Sequence, residues 1–286
     1  NQRYQPRIKP AAEEVKKAVK LMKKAKRPII YGGGGLINSG PEASEKLREL
    51  VAQTGWPSTL TLMGPGALSA DDPHFLGMLG MHGTYEANMA MHQCDFMLNI
   101  GARFDDRVTG RLNAFSPSSV KVHADIDPSS IGKVVQVDVG IVGDAGAVLD
   151  ALLAELKKES FAPNAKALSG WKQINEWRAR DCLKFVQSGQ VIKPQNAVKR
   201  LYELSRERDI YITTEVGQHQ MWAAQYFGFH QPNRWMTSGG LGTMGYGLPS
   251  AVGTQIAHPE ATVIDISGEA SFLMNMQELS TIAQYR

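Results

Sequence analysis

Short apolar runs ending in glycine or polar loops alternate with longer helical patterns along most of this chain, and that alternation permits few folds. Pro28-Ile-Ile-Tyr31, Ser58-Thr-Leu-Thr-Leu62, Asp95-Phe-Met-Leu-Asn-Ile100 and Val120-Lys-Val-His-Ala-Asp-Ile126 read as strands. Between and around them, residues 11–26, a stretch opened by Pro41 and stopped near Gly55, and 145–158 carry helical spacing. Proline suits a first helical turn and glycine a C-terminal stop. Strand–helix alternation of this kind predicts an α/β fold with a doubly wound parallel sheet. The rhythm breaks over 161–193, where Ala162-Pro-Asn164 and Ser188-Gly189 flank a polar helix with Trp171, Trp177 and Phe185. A second α/β unit then opens with a helix over 194–206, the strand Ile210-Tyr-Ile-Thr213 and the loop 215–220. A Gly-rich helix over 239–257, a buried strand over 262–266 and an amphipathic helix over 272–279 complete it. The expected organisation is an α/β domain over 1–160, a connector over 161–193 and the first half of another α/β domain over 194–286.

Composition narrows the class. With 43% hydrophobic and 21% charged residues the chain can bury an ordinary core. No apolar run approaches the ~18 residues a membrane-spanning helix needs. The net charge of +3 hides an asymmetry: residues 1–30 hold ten Lys/Arg against two Glu, and the remainder is net acidic. Lys16, Lys17, Lys20, Lys23 and Lys24 lie opposite Val15, Ala18, Val19 and Met22 on a helical wheel, which is a solvated helix face rather than a nucleic-acid arm. Cys94 and Cys182 are too few for a disulfide framework, lack metal-ligand spacing and fit a reducing compartment. The chain begins at Asn1 within a linker-like stretch (1–10) and is expected to be a piece of a longer protein.

Several stretches carry chemistry. Gly32 to Gly35 follows a strand, so backbone there can approach a ligand closely; a plain tight turn has the same sequence. Arg103-Phe-Asp-Asp-Arg-Val-Thr-Gly110 follows another strand, where open α/β sheets bind ligands, and arginine forks match phosphate oxygens. The same residues could equally pair among themselves as surface salt bridges. Asp125 and Asp127 could accept hydrogen bonds from a ribose or ring N–H, and Asp144 reads equally as a helix N-cap. Gly240-Leu-Gly-Thr-Met-Gly245 matches a dinucleotide fingerprint in letters only, because no good strand precedes it and no acidic strand tip follows. Gly268-Glu-Ala-Ser271 places amides, a hydroxyl and a carboxylate at a helix start, where a metal-bound phosphate can sit.

Taken together, these residues resemble the thiamine-diphosphate enzyme superfamily, in particular the acetohydroxyacid (acetolactate) synthase large-subunit family. The carriers are Gly32-Gly-Gly34, Thr61-Leu-Met-Gly64, Met78-Leu-Gly-Met-His-Gly-Thr84, Arg103 to Gly110, Asp125-Ile-Asp-Pro128, Val216-Gly-Gln-His219 and Ser238 to Gly245. The resemblance implies a central FAD-binding domain and part of a thiamine-diphosphate-binding domain; the family's catalytic Glu belongs to an N-terminal domain outside this chain. It implies FAD contacts from Gly33, Gly34, Leu62, Met63, Met81, His82 and Gly83, from the phosphate-binding Arg103 and Arg107 with Asp105 and Val108, and from Asp125, Ile126 and Asp144 toward the adenosine. The flavin acts chiefly as a structural ligand in this family.

For thiamine diphosphate the resemblance implies Val216, Gly217, Gln218, His219, Gly268, Ala270 and Ser271, with Mg2+ on Glu269. Gly242 would accept from the cofactor's 4′-amino group and Met244 would hold its bent form, which makes these two the catalytic positions of this chain. The family turn is usually Gly-Asp-Gly, so Glu269 is a departure by one methylene. The implied reaction decarboxylates pyruvate and condenses the product with pyruvate or 2-ketobutyrate, in branched-chain amino-acid (valine, isoleucine) biosynthesis. The implied setting is a cytoplasmic homodimer or homotetramer with a regulatory small subunit. Rival readings are a glyoxylate carboligase or pyruvate oxidase type of enzyme and, for this chain alone, a non-catalytic FAD-binding module.

Overall fold

The computed structural model describes residues 5–285. The first four residues of the linker-like stretch, with Arg3, and the terminal Arg286 lie outside the described residues. The chain divides into two compact units, 1–182 and 183–286.

In the first unit the elements run α1 (Ala12–Met22), β1 (Pro28–Gly32), α2 (Gly34–Asn38), α3 (Pro41–Thr54), β2 (Ser58–Leu60), β3 (Phe75–Met78), α4 (Tyr85–Gln93), β4 (Phe96–Ile100), α5 (Asp106–Thr109), a 3-10 turn, β5 (Val120–Asp125), β6 (Val139–Val142), α6 (Ala145–Lys158), α7 (Ala165–Ser169) and α8 (Trp171–Arg178). All pairings are parallel, in the order β3-β2-β1-β4-β5-β6. Every residue of β1 and β4 is buried, as continuous apolar runs covered on both faces require. Alternate side chains feed two cores. Ile30, Phe96, Leu98 and Ile100 pack with Val15, Leu47, Leu50, Val148 and Leu152 of α1, α3 and α6. Ile29, Tyr31 and Met97 pack on the other face with Ala87, Met91, Ile174 and Trp177 of α4 and α8. The sheet is thus the middle of three layers.

Local signals explain the helix ends. Pro41 stands in the first turn of α3, and Gly55 closes that helix in the left-handed region at φ 63°. Asp144 caps α6 by accepting from Gly146 N–H and Ala147 N–H. In α1, Val15, Ala18, Val19 and Met22 are buried, and the lysines of the opposite face reach solvent or carboxylates, as in Lys23 to Glu159 at 2.9 Å. Burial pushes the Cys94 thiol up to about 11.

The stretch expected as a connector divides between the units. α7 and α8 belong to the first unit: Trp171 Nε1 donates to Gly55 O at 2.8 Å and Arg178 to Phe75 O at 2.6 Å, while Ile174 and Trp177 are buried. Residues 183–193 group with the second unit.

The second unit contains α9 (Pro194–Ser205), β7 (Ile210–Thr214), α10 (Gln218–Tyr226), β8 (Trp235–Met236), α11 (Gly247–Ala257), β9 (Thr262–Ile266), α12 (Glu269–Met274) and α13 (Glu278–Tyr285). Its sheet has the order β8-β7-β9, all parallel. Three expectations are corrected here. The Gly-rich helix starts at Gly247, not 239, because Gly242 and Gly245 sit at φ 67° and 85°, which no right-handed helix contains. The helix expected over 272–279 is two helices, because Asn275 leaves the helical region and its side chain turns to donate to Gly245 O. The strand 262–266 is half-buried throughout, since β9 is an edge strand with a single neighbour. Among the described residues no helix is long and apolar enough to cross a membrane.

Candidate functional site

In the first unit the strand order reverses between β1 and β4, the switch point at which open α/β sheets bind ligands outside the carboxyl ends of their strands. Backbone fills the root of that crevice. Gly33 N–H donates to Ile100 O at 3.0 Å, and Gly35 N–H donates to Gly101 O at 3.0 Å. A Cβ on Gly101, which has φ 65°, would stand 2.6 Å from Gly35 Cα, so neither strand end tolerates a side chain there. Gly33 is likewise closed off by Gly101 and Ala102, and the Gly34 Cβ position faces Met63 at 3.1 Å. Close backbone packing, then, is the first reason for these glycines.

Each strand end contributes one group of the sequence-derived residues. Read across the sheet, they run Met81, His82 and Gly83 after β3, Leu62 and Met63 after β2, Gly33 and Gly34 after β1, Arg103 to Val108 after β4, Asp125 and Ile126 at the end of β5, and Asp144 after β6. At ~4.8 Å between strands this edge is about 24 Å long. Met63, Met81 and Ile126 are exposed, although apolar. Gly83 is pressed against the backbone of Met78 and Leu79. Met81 N–H donates to Arg107 O at 2.7 Å, which ties the loop after β3 to the loop after β4.

The Arg/Asp loop pairs internally. Arg103 bonds Asp105, and Arg107 Nη1 donates to Asp106 at 3.0 Å, yet both guanidinium groups are largely in solvent and can turn to another anion. Burial alone would raise the Asp105 carboxyl, but the Arg107 N–H and the Arg103 charge overcome it and hold it below the ordinary carboxylate range. Val108 is half-buried beside Gly80, whose Cβ position would meet Val108 Cα at 2.9 Å. Asp125 accepts from Asp127 N–H at 2.9 Å. Asp144 takes Ser39 Oγ at 2.6 Å besides its capping amides, so the N-cap reading of this residue is realised whatever else it does.

In the second unit β7 and β9 are neighbours, paired from Ile210–Thr262 to Thr214–Ile266, and each runs into a helix start. Gly217 is the N-cap of α10 and Gly268 that of α12; neither helix has a side-chain cap, so first-turn N–H groups are left for another acceptor. His219 joins the two. A Cβ on Gly217 would lie 2.8 Å from the His219 ring, and one on Gly268 3.1 Å from it. Val216 and His219 are half-buried, Gln218, Glu269 and Ala270 exposed, and Ser271 buried. Among the described residues no three of His, Cys, Asp and Glu gather as a metal cage. Glu269 is a single hard oxygen donor beside free amides, which suits Mg2+ carried by a diphosphate rather than by protein alone.

Gly242 and Met244 stand on the exposed loop 238–246, with Met244 39% and Leu241 96% accessible. Behind the loop lie groups that no motif announced. Gln220 is buried and donates to Thr237 Oγ1 at 2.6 Å, and Thr237 in turn meets Thr214 Oγ1 at 2.7 Å. Asp265 accepts from Thr213 Oγ1 at 2.9 Å and from Ser267; burial pushes its pKa up, and the nearby Glu215 charge adds to this. The fully buried Glu215 accepts four backbone N–H groups. The one available signal was an acid directly after a strand. A cavity of about 320 Å3 bordered by Tyr202, Arg208, Phe229 and Arg234 opens near the start of β7. That is the amino end of the strand, opposite to where open α/β sheets bind ligands.

Burial disfavours the His219 imidazolium, so this residue titrates below its ordinary 6.5 in the folded chain. As pH falls below 6.5, the unfolded chain takes up a proton that the native state refuses, and native stability drops until the folded ring itself protonates. Replacing His219 with Gln is expected to flatten the melting temperature–pH profile below pH 6.5, measured by circular dichroism; an unchanged slope would assign the acid sensitivity elsewhere.

The chain matches two domain families: "Thiamine pyrophosphate enzyme, central domain" over residues 15–152, and "Thiamine pyrophosphate enzyme, C-terminal TPP binding domain" over 215–286. It is 46% identical over 282 residues to the acetolactate synthase large subunit of Haemophilus influenzae, covering 99% of this chain and 49% of the relative. The isozyme 3 large subunit of Escherichia coli is 47% identical over 283 residues, again 99% of this chain and 49% of the relative. The Porphyra purpurea large subunit is 45% identical over 276 residues, 96% of this chain and 46% of the relative. The chain thus spans about half the length of the curated relatives it matches. Parallel α/β architecture in both units and these two matched segments agree, and the chain belongs to the thiamine pyrophosphate enzymes, of which it carries central-domain and C-terminal cofactor-binding sequence.

Proposed function

We propose that this chain is the FAD- and thiamine-diphosphate-holding part of an acetolactate synthase large subunit. The whole protein would convert two pyruvate molecules into 2-acetolactate and CO2, or join pyruvate to 2-ketobutyrate. The observation that carries the proposal is the pair of uncapped helix starts at Gly217 and Gly268, side by side at the carboxyl ends of β7 and β9, with His219 between them.

Thiamine diphosphate, when bound, supplies the carbon nucleophile and the electron sink for decarboxylation. The residues of this chain do the rest by position. The first-turn amides of α10 and α12 and the Ser271 region offer donors for the diphosphate, and Glu269 offers an oxygen to Mg2+. Gly242 presents a carbonyl from a loop with positive φ, and Met244 an exposed apolar side chain beside it.

FAD is supported by the order of groups along the first sheet. Apolar Leu62, Met63 and Met81 sit toward one end, arginines toward the middle, and Asp125 and Asp144 at the other end. That sequence of apolar, cationic and hydrogen-bond-accepting groups matches an isoalloxazine, a diphosphate and an adenosine. The proposed setting is a cytoplasmic homodimer or homotetramer with a regulatory small subunit, the latter suggested by the large-subunit names of the relatives.

The test uses the full-length protein with thiamine diphosphate, Mg2+ and FAD. Formation of 2-acetolactate from pyruvate is expected, with the acetohydroxybutyrate product when 2-ketobutyrate is added. A different carboligation product or an oxidised one would favour the carboligase or oxidase relatives. The 286-residue chain alone is expected to take up flavin, seen in its absorbance, without turnover.

A further inference from the structure

Glu215 directly follows β7 and its side chain is wholly buried. One carboxylate oxygen accepts Gly245 N–H at 2.6 Å and Tyr246 N–H at 3.0 Å; the other accepts Gly247 N–H at 2.8 Å and Leu248 N–H at 3.3 Å. Four consecutive amides, which a helix start leaves without internal partners, are thus taken by one residue about thirty positions away in sequence. No Lys, Arg or His forms an ion pair with Glu215 among the described residues. Backbone N–H groups and the positive end of α11 are what stabilise this charge.

The packing leaves no freedom at this joint. A Cβ on Gly247 would stand 2.8 Å from Glu215 N and from Thr214 C, so the first turn of α11 rests directly on the end of β7. Gly245 is held from both sides: its N–H by Glu215, its carbonyl by the Asn275 side chain. At the other foot of the loop, Thr243 N–H bonds Ser238 Oγ at 2.9 Å and Gln220 Nε2 reaches Ser238 O at 3.4 Å. Between these fastenings the tip with Gly242 and Met244 is exposed.

We propose that Glu215 is the positioning residue of the loop 238–246, and that its carboxylate sets where Gly242 and Met244 stand for thiamine diphosphate. The proposal rests on the functional reading above. Only a carboxylate meets the requirement. The amide of a glutamine has one oxygen to offer, and its NH2 would face N–H groups that it cannot bond.

The experiment compares the full-length protein with Glu215→Gln and with Thr254→Ala, a change in the same helix whose hydroxyl bonds only Ser250 O. Hydrogen exchange is expected to speed about tenfold or more at the amides of 245–248 in Glu215→Gln, with 210–214 and 262–266 unchanged. Thiamine diphosphate binding, followed by quenching of tryptophan fluorescence, is expected to need about tenfold more cofactor in Glu215→Gln and no more in Thr254→Ala. Unchanged exchange at 245–248, or faster exchange throughout the unit, would overturn the proposal. So would a wild-type protein and a Gln variant that bind the cofactor equally well. A wild-type protein that takes up no thiamine diphosphate would instead remove the functional reading, and the positioning role with it. If the Gln variant does not fold, Glu215→Asp replaces it: the same charge set one methylene back is expected to loosen the same four amides and weaken cofactor binding, and equal protection and affinity would overturn the proposal.

Discussion

Alanine in place of Gly101 is expected to destabilise the first unit strongly. Two costs add at this position. The residue is at φ 65°, and its new Cβ would lie 2.6 Å from Gly35 Cα. The left-handed backbone costs about 1–2 kcal/mol for a side-chain-bearing residue and overpacking about 1–3 kcal/mol, so roughly 2–5 kcal/mol together. For a unit of this size the melting temperature should fall by about 4–20 °C. Gly132→Ala is the control, since Gly132 has φ 74° with nothing within 4 Å of its Cβ position. It should show the backbone cost alone, about 1–2 kcal/mol. Equal shifts for the two variants in thermal unfolding would mean that the approach of β1 and β4 at the switch point is not tight.

Removing the Glu269 carboxylate is expected to lower acetolactate synthesis by the full-length protein about 100-fold or more, because metal-borne charge stabilisation is worth several kcal/mol and each 1.4 kcal/mol is tenfold. The loss should be recovered in part by raising Mg2+. Unfolding cannot account for it: Glu269 is exposed in the first turn of α12, where an acid contributes only about 0.3–1 kcal/mol through the helix dipole. Glu269→Asp is expected to stay within roughly tenfold of the natural protein, since a hard oxygen ligand remains and only its reach changes. Activity and Mg2+ dependence that survive Glu269→Ala unchanged would show that the metal is held elsewhere.

The readable elements share one property: their signal is local. β1 and β4 are largely apolar runs, β5 alternates apolar with polar residues, α3 has Pro41 and Gly55 at its ends, and α6 has Asp144 before an apolar pattern. β3 and β6 escaped because Gly77 and Gly140 interrupt runs of only four residues. α10 carries no local helix signal at its start, since Gly217-Gln-His-Gln220 is polar and its helical start depends on packing beside β7. α11 is shorter than its sequence predicts for the opposite reason: the glycine-rich stretch before it is compatible with a helix by spacing, and only the positive φ of Gly242 and Gly245 excludes one.

The site divides along the same line. Local motifs marked Gly33, Arg103, Arg107, Asp125 and Glu269 as ligand-facing candidates, the family resemblance added His219 and Gly242, and strand–helix alternation determined a parallel α/β fold, because these signals are written in neighbouring residues. Tertiary structure alone decided that six separate segments would stand in one row along the edge of β3-β2-β1-β4-β5-β6, since strand order is not chain order. It alone decided that Gly33 and Gly101 serve backbone contact first. And it alone brought the amides of 245–248 to Glu215, because a buried charge finds its partners in space and not at any fixed distance along the chain.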